Sequence, residues 1–258
     1  MRPVLGVIPA RLGSARLPRK PLHRLAGKPL IEWVWKAVVE TKLFTSVVIA
    51  TESEEIADTV RGFGGEVEMT LASHPSGTDR VAEVSRLPRF SRFEHIVNIQ
   101  GDEPFISREH LDAAIGLVRE GGWEIGTVAA PIDSLESWRD ASVVKVVRAD
   151  DGSALLFSRS TIPFVRDGEP SPDQLASGLF LRHIGIYSYQ REALQAWVEM
   201  PEGALEGIEK LEQLRPLAAG ARIGVAVVAA AQGGVDTPAD AKRAERRLSQ
   251  IEIGSAAT

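Results

Sequence analysis

The chain contains no cysteine and no long apolar segment, and each absence excludes a class of protein. With no cysteine among its 258 residues, it has no disulfide, no zinc–thiolate site and no cysteine nucleophile. No apolar run approaches the roughly 18 residues that a membrane-spanning helix needs. The net charge of −5 and the small aromatic content of 6% argue against a general binder of nucleic acid or anionic membrane. We therefore expect a globular protein, and a cytoplasmic location is the simplest expectation.

Acidic residues are also missing from the first 31 residues, although the chain as a whole is acidic. An acid-free stretch with seven cations predicts a local anion site, with a solvated basic loop as the simpler alternative. The cations are Arg2, Arg11, Arg16, Arg19, Lys20, Arg24 and Lys28. The apolar run before Arg11 is short, which predicts a first strand and not a signal peptide.

Short apolar runs alternate with segments of helical periodicity as far as residue 131. This alternation predicts an α/β fold, Rossmann-like, with a mostly parallel sheet. Beyond residue 143 the rhythm changes: "SVVKVVRADDGSALLFSRS" predicts two strands around an Asp-Gly turn, residues 165–177 a mobile loop, and residues 205–220 one helix. We expect a single domain over residues 1–250 with an inserted lobe at about 131–190, followed by a tail at 251–258.

The basic opening loop matches neither of two common phosphate-binding motifs. A P-loop requires Ser or Thr after its Gly-Lys pair, and here Gly27-Lys28 is followed by Pro29. The nearest approach to a dinucleotide fingerprint, "GFGG", ends a predicted helix. What remains is a set of cations beyond the end of the first strand, where open α/β sheets bind ligands. Because arginine forks suit phosphate oxygens, we favour a triphosphate site over a solvated loop.

Two carboxylates follow predicted strands elsewhere in the chain. Asp102 lies in "VNIQGDEP" and Asp236 in "GGVDTP". A turn alone is the simpler interpretation of the first, because Gly, Asp and Pro are turn residues. Thr237 is the predicted cap of the last helix, so Asp236 is not needed for capping. Two carboxylates near a triphosphate predict a Mg²⁺ site, since Mg²⁺ is usually held by one or two carboxylates and substrate phosphates.

Eight motifs, in this order, resemble the 3-deoxy-manno-octulosonate cytidylyltransferases, also called CMP-Kdo synthetases. They are "IPARLGSARLPRKPL", "HPSGTDR", "VNIQGDEP", "VVKVV", "LFSRSTIP", "RHIGIY", "LEQLR" and "GVDTP". The resemblance runs from about Val4 to about Gln250. The first motif fits several nucleotidyltransferases, whereas the last three are more specific to this family.

The resemblance implies a GT-A-like nucleotidyltransferase fold with an inserted dimerisation lobe. It implies a Mg²⁺-dependent reaction in which CTP and Kdo give CMP-Kdo and diphosphate, for lipopolysaccharide synthesis. It also implies a homodimer. No nucleic-acid partner and no membrane insertion are expected.

The resemblance also assigns roles by position. Arg11, Lys20 and Asp102 are the expected catalytic residues, and Asp102 and Asp236 the expected Mg²⁺ ligands. The expected nucleotide-binding residues are Ala10, Arg11, Ser14, Arg16, Lys20, Ser76, Gly77 and Arg80. The expected sugar-binding residues are Gln100, Arg159, Arg166, His183, Tyr187, Glu212 and Gln213.

Three other functions fit the sequence in part. The acceptor sugar acid could be 8-amino-Kdo or a sialic-acid-like sugar, or the enzyme could act on a sugar 1-phosphate. A non-catalytic nucleotide-binding homologue is the alternative outside enzymes, and the presence of both Asp102 and Asp236 argues against it. The sequence also departs from its relatives at Arg19, where they often have glycine in "LPGKPL".

Overall fold

The computed structural model describes residues 3–14, 16–230 and 232–255. These residues form two compact units. The first comprises Met1–Phe93, Asn98–Arg108 and Gln232–Thr258, and the second Glu94–Val97 and Glu109–Ala231. The predicted lobe at 131–190 therefore lies within the second unit, while Arg2 and residues 256–258 lie outside the described part of the chain.

Strands and helices alternate along most of the described chain. The strands are β1 (Val4–Pro9), β2 (Arg24–Leu25), β3 (Lys28–Pro29), β4 (Ser46–Thr51), β5 (Glu66–Met69), β6 (His95–Ile99), β7 (Ile125–Pro131), β8 (Lys145–Arg148), β9 (Ala154–Ser158), β10 (Leu181–Gln190) and β11 (Ile223–Val227). The helices are α1 (Leu30–Glu40), α2 (Glu54–Gly62), α3 (Gly77–Arg86), α4 (Arg108–Arg119), α5 (Leu135–Arg139), α6 (Pro172–Ala176), α7 (Arg191–Glu199), α8 (Ala204–Glu209), α9 (Leu214–Ala218) and α10 (Pro238–Ser255). Two short 3₁₀ helices cover Lys20–Leu22 and Pro88–Phe90.

The first unit is built on parallel strands. β1 pairs with β4, and β4 pairs with β5, both in parallel register. The first five residues of β1 are buried, as expected for a strand covered on both faces. Ser53 and Ser76 cap α2 and α3 by accepting hydrogen bonds from backbone N–H groups in the first turn. This arrangement brings the loops that follow the strands to one edge of the sheet.

The second unit combines antiparallel and parallel pairing. β10 runs antiparallel to both β7 and β8, β8 forms a hairpin with β9, and β11 pairs with β7 in parallel. The pairing of β10 with β7 shifts register between Ile184 and Tyr187, which turns the second half of the strand. Tyr189 and Trp197, both in this second unit, are among the largest fully buried side chains of the protein.

The predicted α/β class with a mostly parallel sheet is confirmed, and two local predictions within the second unit were wrong. Residues 205–220 form two short helices and not one, because Lys210 ends α8 in a left-handed conformation with φ 52°. The expected mobile loop contains α6, which Ser171 and Gln174 close with a reciprocal capping box. Leu175 of α6 packs on Trp138 and Phe180, so this segment has a small core of its own.

The last helix extends beyond its expected end. Thr237 caps α10 by accepting from the Asp240 N–H, as predicted. The helix then continues to Ser255, into the segment expected as a tail. None of the helices in the described ranges is long and apolar enough to cross a membrane.

Candidate functional site

Three charged residues from separate segments of the first unit converge on one point. The Lys20 ammonium donates to Asp102 Oδ2 at 2.5 Å and to Asp236 Oδ1 at 2.9 Å. Lys20 begins a 3₁₀ helix, Asp102 follows β6, and Asp236 precedes α10. The sequence predicted all three residues as site residues, and the structure brings them together.

Glycine and backbone contacts allow this convergence. The Val235 N–H donates to the Asp102 carbonyl at 2.8 Å, which ties together the two loops that carry the carboxylates. A Cβ on Gly234 would lie 3.2 Å from that carbonyl oxygen, and a Cβ on Gly101 would lie 3.0 Å from the Pro9 carbonyl oxygen. Glycine favours this close approach at both positions, because a Cβ would lie tight against a backbone oxygen.

The two carboxylates hold Lys20 in its charged form. Burial by itself lowers the pKa of Lys20, but Asp102 and Asp236 outweigh it, so the pKa is raised above its ordinary value. Asp102 Oδ1 is buried, and no group in the described part of the chain hydrogen-bonds to it. A buried carboxylate oxygen without a partner is able to accept a cation or a donor from a substrate.

Two other cations of the opening loop are exposed, and only one of them joins this cluster. Arg16 Nη2 lies 3.0 Å from Asp236 Oδ2. Arg11 is exposed, and none of the described side chains forms an ion pair with it. Its charge is therefore available to an anionic ligand.

Arg80 differs from both, although the sequence placed it in the same nucleotide site. It is 4% exposed, and its guanidinium contacts Thr70 Oγ1 and lies 2.7 Å from Glu52 Oε2. Burial lowers its pKa, partly offset by the carboxylates of Glu52 and Glu83. These contacts make Arg80 part of the framework beneath the site.

The remaining predicted nucleotide-binding residues are small and lie on loops or at a helix start. Ser76 caps α3 and also donates to Asp79 Oδ2 at 2.6 Å, and Gly77 is the first residue of that helix. Ser14 Oγ accepts a hydrogen bond from the Leu17 N–H. Ala10 is buried, and its N–H donates to the Ala50 carbonyl. Such residues leave backbone groups accessible to a ligand.

In the second unit, His183 and Tyr187 lie together in an aromatic cluster. His183 contacts the rings of Phe157 and Tyr187 at centroid distances of 5.1 and 5.3 Å. Burial lowers the pKa of His183 to about 3, so its imidazole is neutral at neutral pH. Burial raises the pKa of Tyr187 well above its ordinary value, and the neighbouring Thr127 hydroxyl offsets this only in part.

The tautomer of His183 follows from one neighbour. Thr127 Oγ1 lies 2.9 Å from His183 Nε2 and donates its only proton to the Ile186 carbonyl at 2.7 Å. With that proton on the Ile186 carbonyl, the hydroxyl accepts from Nε2–H, and we assign Nδ1 as the acceptor on this basis. A neutral histidine with an open acceptor suits a sugar hydroxyl.

The other predicted sugar-binding residues are less closely grouped. Glu212 lies near enough for its charge to raise the pKa of Tyr187, after the larger effect of burial and that of Tyr189. Gln213 is buried at the start of α9. Gln100 belongs to the first unit, and Arg166 is exposed.

Arg159 is more firmly held than the sequence suggested. Its N–H and Nε donate to the Glu209 carboxylate and carbonyl, and Nη1 donates to the Ala141 carbonyl. The carbonyl of Arg159 accepts from Lys145, which is fully buried. Sequence analysis missed Lys145 and Glu209, although a lysine between apolar residues in "VVKVV" was a usable signal.

Comparison with known proteins identifies the family of this chain. The model of a family described as Cytidylyltransferase matches residues 5–223. The chain is similar to 3-deoxy-manno-octulosonate cytidylyltransferases from Gemmatimonas aurantiaca, 51% identical over 94% of this chain and 93% of that protein, and from Syntrophobacter fumaroxidans, 41% identical over 98% and 99%.

Solved structures give the same result. A CMP:2-keto-3-deoxy-manno-octonic acid synthetase complexed with CTP superposes with a TM-score of 0.85 and 36% identity, over 96% of this chain and 99% of that one. A 4-diphosphocytidyl-2C-methyl-D-erythritol synthase from Anaerococcus prevotii, 14% identical with a TM-score of 0.63 over 96% and 98% of the two chains, shares the fold. The chain therefore belongs to the cytidylyltransferases and, within them, to the 3-deoxy-manno-octulosonate cytidylyltransferase (CMP-Kdo synthetase) family.

Proposed function

We propose that this chain transfers CMP from CTP to the anomeric hydroxyl of Kdo. The hydroxyl oxygen forms a bond to the α-phosphorus, and the bond from that phosphorus to the bridging oxygen breaks. Diphosphate leaves with the electron pair, and the hydroxyl proton passes to solvent. The observation that carries this proposal is the convergence of Lys20, Asp102 and Asp236 in a chain of this family.

The cations of the first unit bind the triphosphate in this proposal. Arg11 is exposed and without an ion-pair partner among the described residues, so it can bind phosphate oxygens without breaking a protein contact. Lys20 and Arg16 are paired with carboxylates through ionic contacts that a phosphate can replace. Preorganised cations stabilise the charge that grows on the phosphate oxygens during transfer.

Asp102 and Asp236 would hold Mg²⁺ in the proposed enzyme. Both contribute hard oxygen ligands, both reach the same Lys20 ammonium, and the buried Asp102 Oδ1 has no partner among the described residues. Two carboxylates with substrate phosphates are a usual Mg²⁺ ligand set. When bound, the ion would offset negative charge on the triphosphate.

The acceptor would bind through the predicted residues of the second unit. Arg159 is suited to the carboxylate of a sugar acid because its Nη2 is open among the described residues, and a hydrogen bond from a cation to a carboxylate is a strong one. His183 Nδ1 and the Tyr187 hydroxyl offer polar atoms within an aromatic surround. The structure gives Arg166 no contact that supports a role.

The proposal extends to the assembly and the cell. A second copy of this chain would cover part of the lobe at 131–190, where Phe164 is 80% exposed and Leu179 67%. These two side chains would contribute to a contiguous apolar patch, the kind of surface that marks protein interfaces. The enzyme would act in the cytoplasm, where CTP is available, and its product would serve lipopolysaccharide synthesis.

Diphosphate release tests the proposed reaction. Purified protein is incubated with CTP, Mg²⁺ and one acceptor at a time: Kdo, its 8-amino analogue, or N-acetylneuraminate. We expect release with Kdo, and loss of release when the metal is chelated. Release only with another acceptor would replace the substrate, whereas no release from protein that binds CTP would overturn the proposed activity.

A further inference from the structure

The lysine in "VVKVV" has an unusual set of partners. Lys145 is fully buried, and its ammonium donates to the carbonyls of Asp140, Val143 and Arg159 at 2.9, 2.7 and 2.9 Å. An ammonium has three donors, so all of them are satisfied by backbone. A buried charge is costly, and replacing this lysine with an apolar residue would leave three carbonyls without a donor. Such a site needs a reason beyond packing.

The position of Lys145 in the sheet suggests that reason. It is the first residue of β8, where it pairs with Ser158 of β9 on one side and with Arg182 of β10 on the other. The residue that follows Ser158 is Arg159, and the residue that follows Arg182 is His183. The His183 N–H donates to the Val144 carbonyl at 2.8 Å. Lys145 therefore lies between two residues to which the proposed acceptor site is assigned.

Glu209 completes the same arrangement from the end of α8. Its carboxylate accepts from Ser158 Oγ at 2.6 Å and from the Arg159 N–H at 2.9 Å, and its carbonyl accepts from Arg159 Nε at 2.8 Å. Lys145 therefore donates to the carbonyl of Arg159, and the Glu209 carboxylate accepts from its N–H, so both backbone groups of Arg159 are fixed. Arg159 Nη2 has no partner among the described residues and remains open to a ligand.

We propose that Lys145 is a positioning residue that, together with Glu209, fixes Arg159 in the orientation needed to bind the carboxylate of the acceptor. This inference rests on the proposed function, which assigns that carboxylate to Arg159. A guanidinium held at Nε and Nη1 loses less freedom when it binds a ligand, so its prior fixation increases affinity. Lys145 itself does not touch the acceptor.

The test compares Lys145→Met with Arg148→Met. Arg148 lies on the same strand and donates to the Val225 carbonyl at 2.9 Å, and no contact joins it to Arg159 within the described ranges. It is exposed, so this control removes a cation that bonds to backbone without changing a buried position. We expect Lys145→Met to raise the KM for Kdo about tenfold, the scale of one charge-assisted hydrogen bond. In Lys145→Met, the KM for CTP should change by no more than about twofold. In Arg148→Met, the KM for Kdo and the KM for CTP should both stay within the same limit.

A double-mutant cycle separates positioning from a general loss of structure. If Lys145 acts through Arg159, Lys145→Met should have little further effect on the KM for Kdo in an Arg159→Ala background. Additive effects of the two substitutions, or an equal rise in both KM values, would overturn the inference. Should Lys145→Met not fold, Glu209→Gln is measured in the same cycle, with the same expectation and the same contradicting outcomes.

The outcomes also distinguish this inference from the proposed function. Failure of wild-type protein to release diphosphate with Kdo contradicts the proposed function itself. Wild-type turnover with an unchanged KM for Kdo in Arg159→Ala overturns the role of Arg159, and the inference with it. Turnover with a raised KM in Arg159→Ala but not in Lys145→Met overturns the inference alone.

Discussion

Lys20 in the first unit and Lys145 in the second are both removed from solvent, yet their pKa values shift in opposite directions. Burial lowers both, but two carboxylates outweigh it at Lys20, whose pKa is raised. At Lys145 burial prevails, because the partners of the ammonium are backbone carbonyls, and the pKa is lowered. The groups that contact each ammonium, and not the residue type, decide the direction in which its pKa shifts.

The difference between the partners of Lys20 and those of Lys145 indicates how each unit uses its charged residues. The ionic contacts of Lys20 join side chains that a triphosphate and a cation can rearrange. The contacts of Lys145 join backbone segments, which no ligand displaces. We infer that the first unit holds its charges ready for exchange with a substrate, whereas the second uses buried groups to hold a binding surface in place.

The largest effect should come from Asp102→Asn, which removes one carboxylate from the exchangeable cluster. We expect turnover to fall by about 10²-fold or more, the scale of losing one key electrostatic group at a reacting centre. The melting temperature should change little, because Asp102 is not part of the apolar core. Diphosphate release measures turnover, with Asp112→Asn on the exposed side of α4 as the control. Wild-type turnover in the variant would show that Asp102 is not a metal ligand.

Arg80→Met tests this contrast inside the first unit, because Arg80 has fixed protein partners of the kind that are typical of the second unit. We expect a loss of about 3 kcal/mol in the free energy of unfolding, because the substitution leaves Glu52 without its buried cation. Urea unfolding measures it. Arg11→Ala is the matched control: it should leave stability unchanged and raise the KM for CTP. Equal stability of the two variants would place Arg80 in the ligand site and not in the framework.

His183 should make the second unit sensitive to acid. Its pKa is about 3 in the folded protein, against about 6.5 in an unfolded chain, so only the unfolded state binds this proton between those values. Stability therefore falls as pH decreases from 6.5 towards 3, by at most about 1.4 kcal/mol per pH unit. The His183→Gln variant should lose this part of the slope and keep the wild-type slope above pH 7. Parallel slopes below pH 6.5 would contradict a buried neutral imidazole.

The smallest effect should come from Arg19→Gly, in the loop of the first unit. Arg19 has φ 55°, a left-handed conformation that costs a non-glycine residue roughly 1 kcal/mol. Its ion pair with Glu55 is exposed and offsets little of this strain. We expect a gain of at most about 1 kcal/mol in unfolding free energy with unchanged KM values. Thermal unfolding checks the gain, and a loss of stability would show that the ion pair outweighs the strain.

Much of the first unit could be predicted because its signals are local. Thr237 caps its helix as expected, and the apolar run at β1 forms a buried strand. The second unit was harder to predict. Residues 205–220 have helical periodicity, but a left-handed Lys210 divides them, and no residue type at that position signals the break.

The sequence by itself determined the α/β class, the cationic opening loop and the carboxylates after two strands, because periodicity, charge and order along the chain are properties of the sequence. Only the tertiary structure decided which charges have fixed partners. It separated Arg11 from Arg80, whose contacts with Thr70 and Glu52 come from other segments. It also gave Lys145 its three carbonyls. Partner sets of this kind depend on which segments meet in space, and the sequence records only which residues they contain.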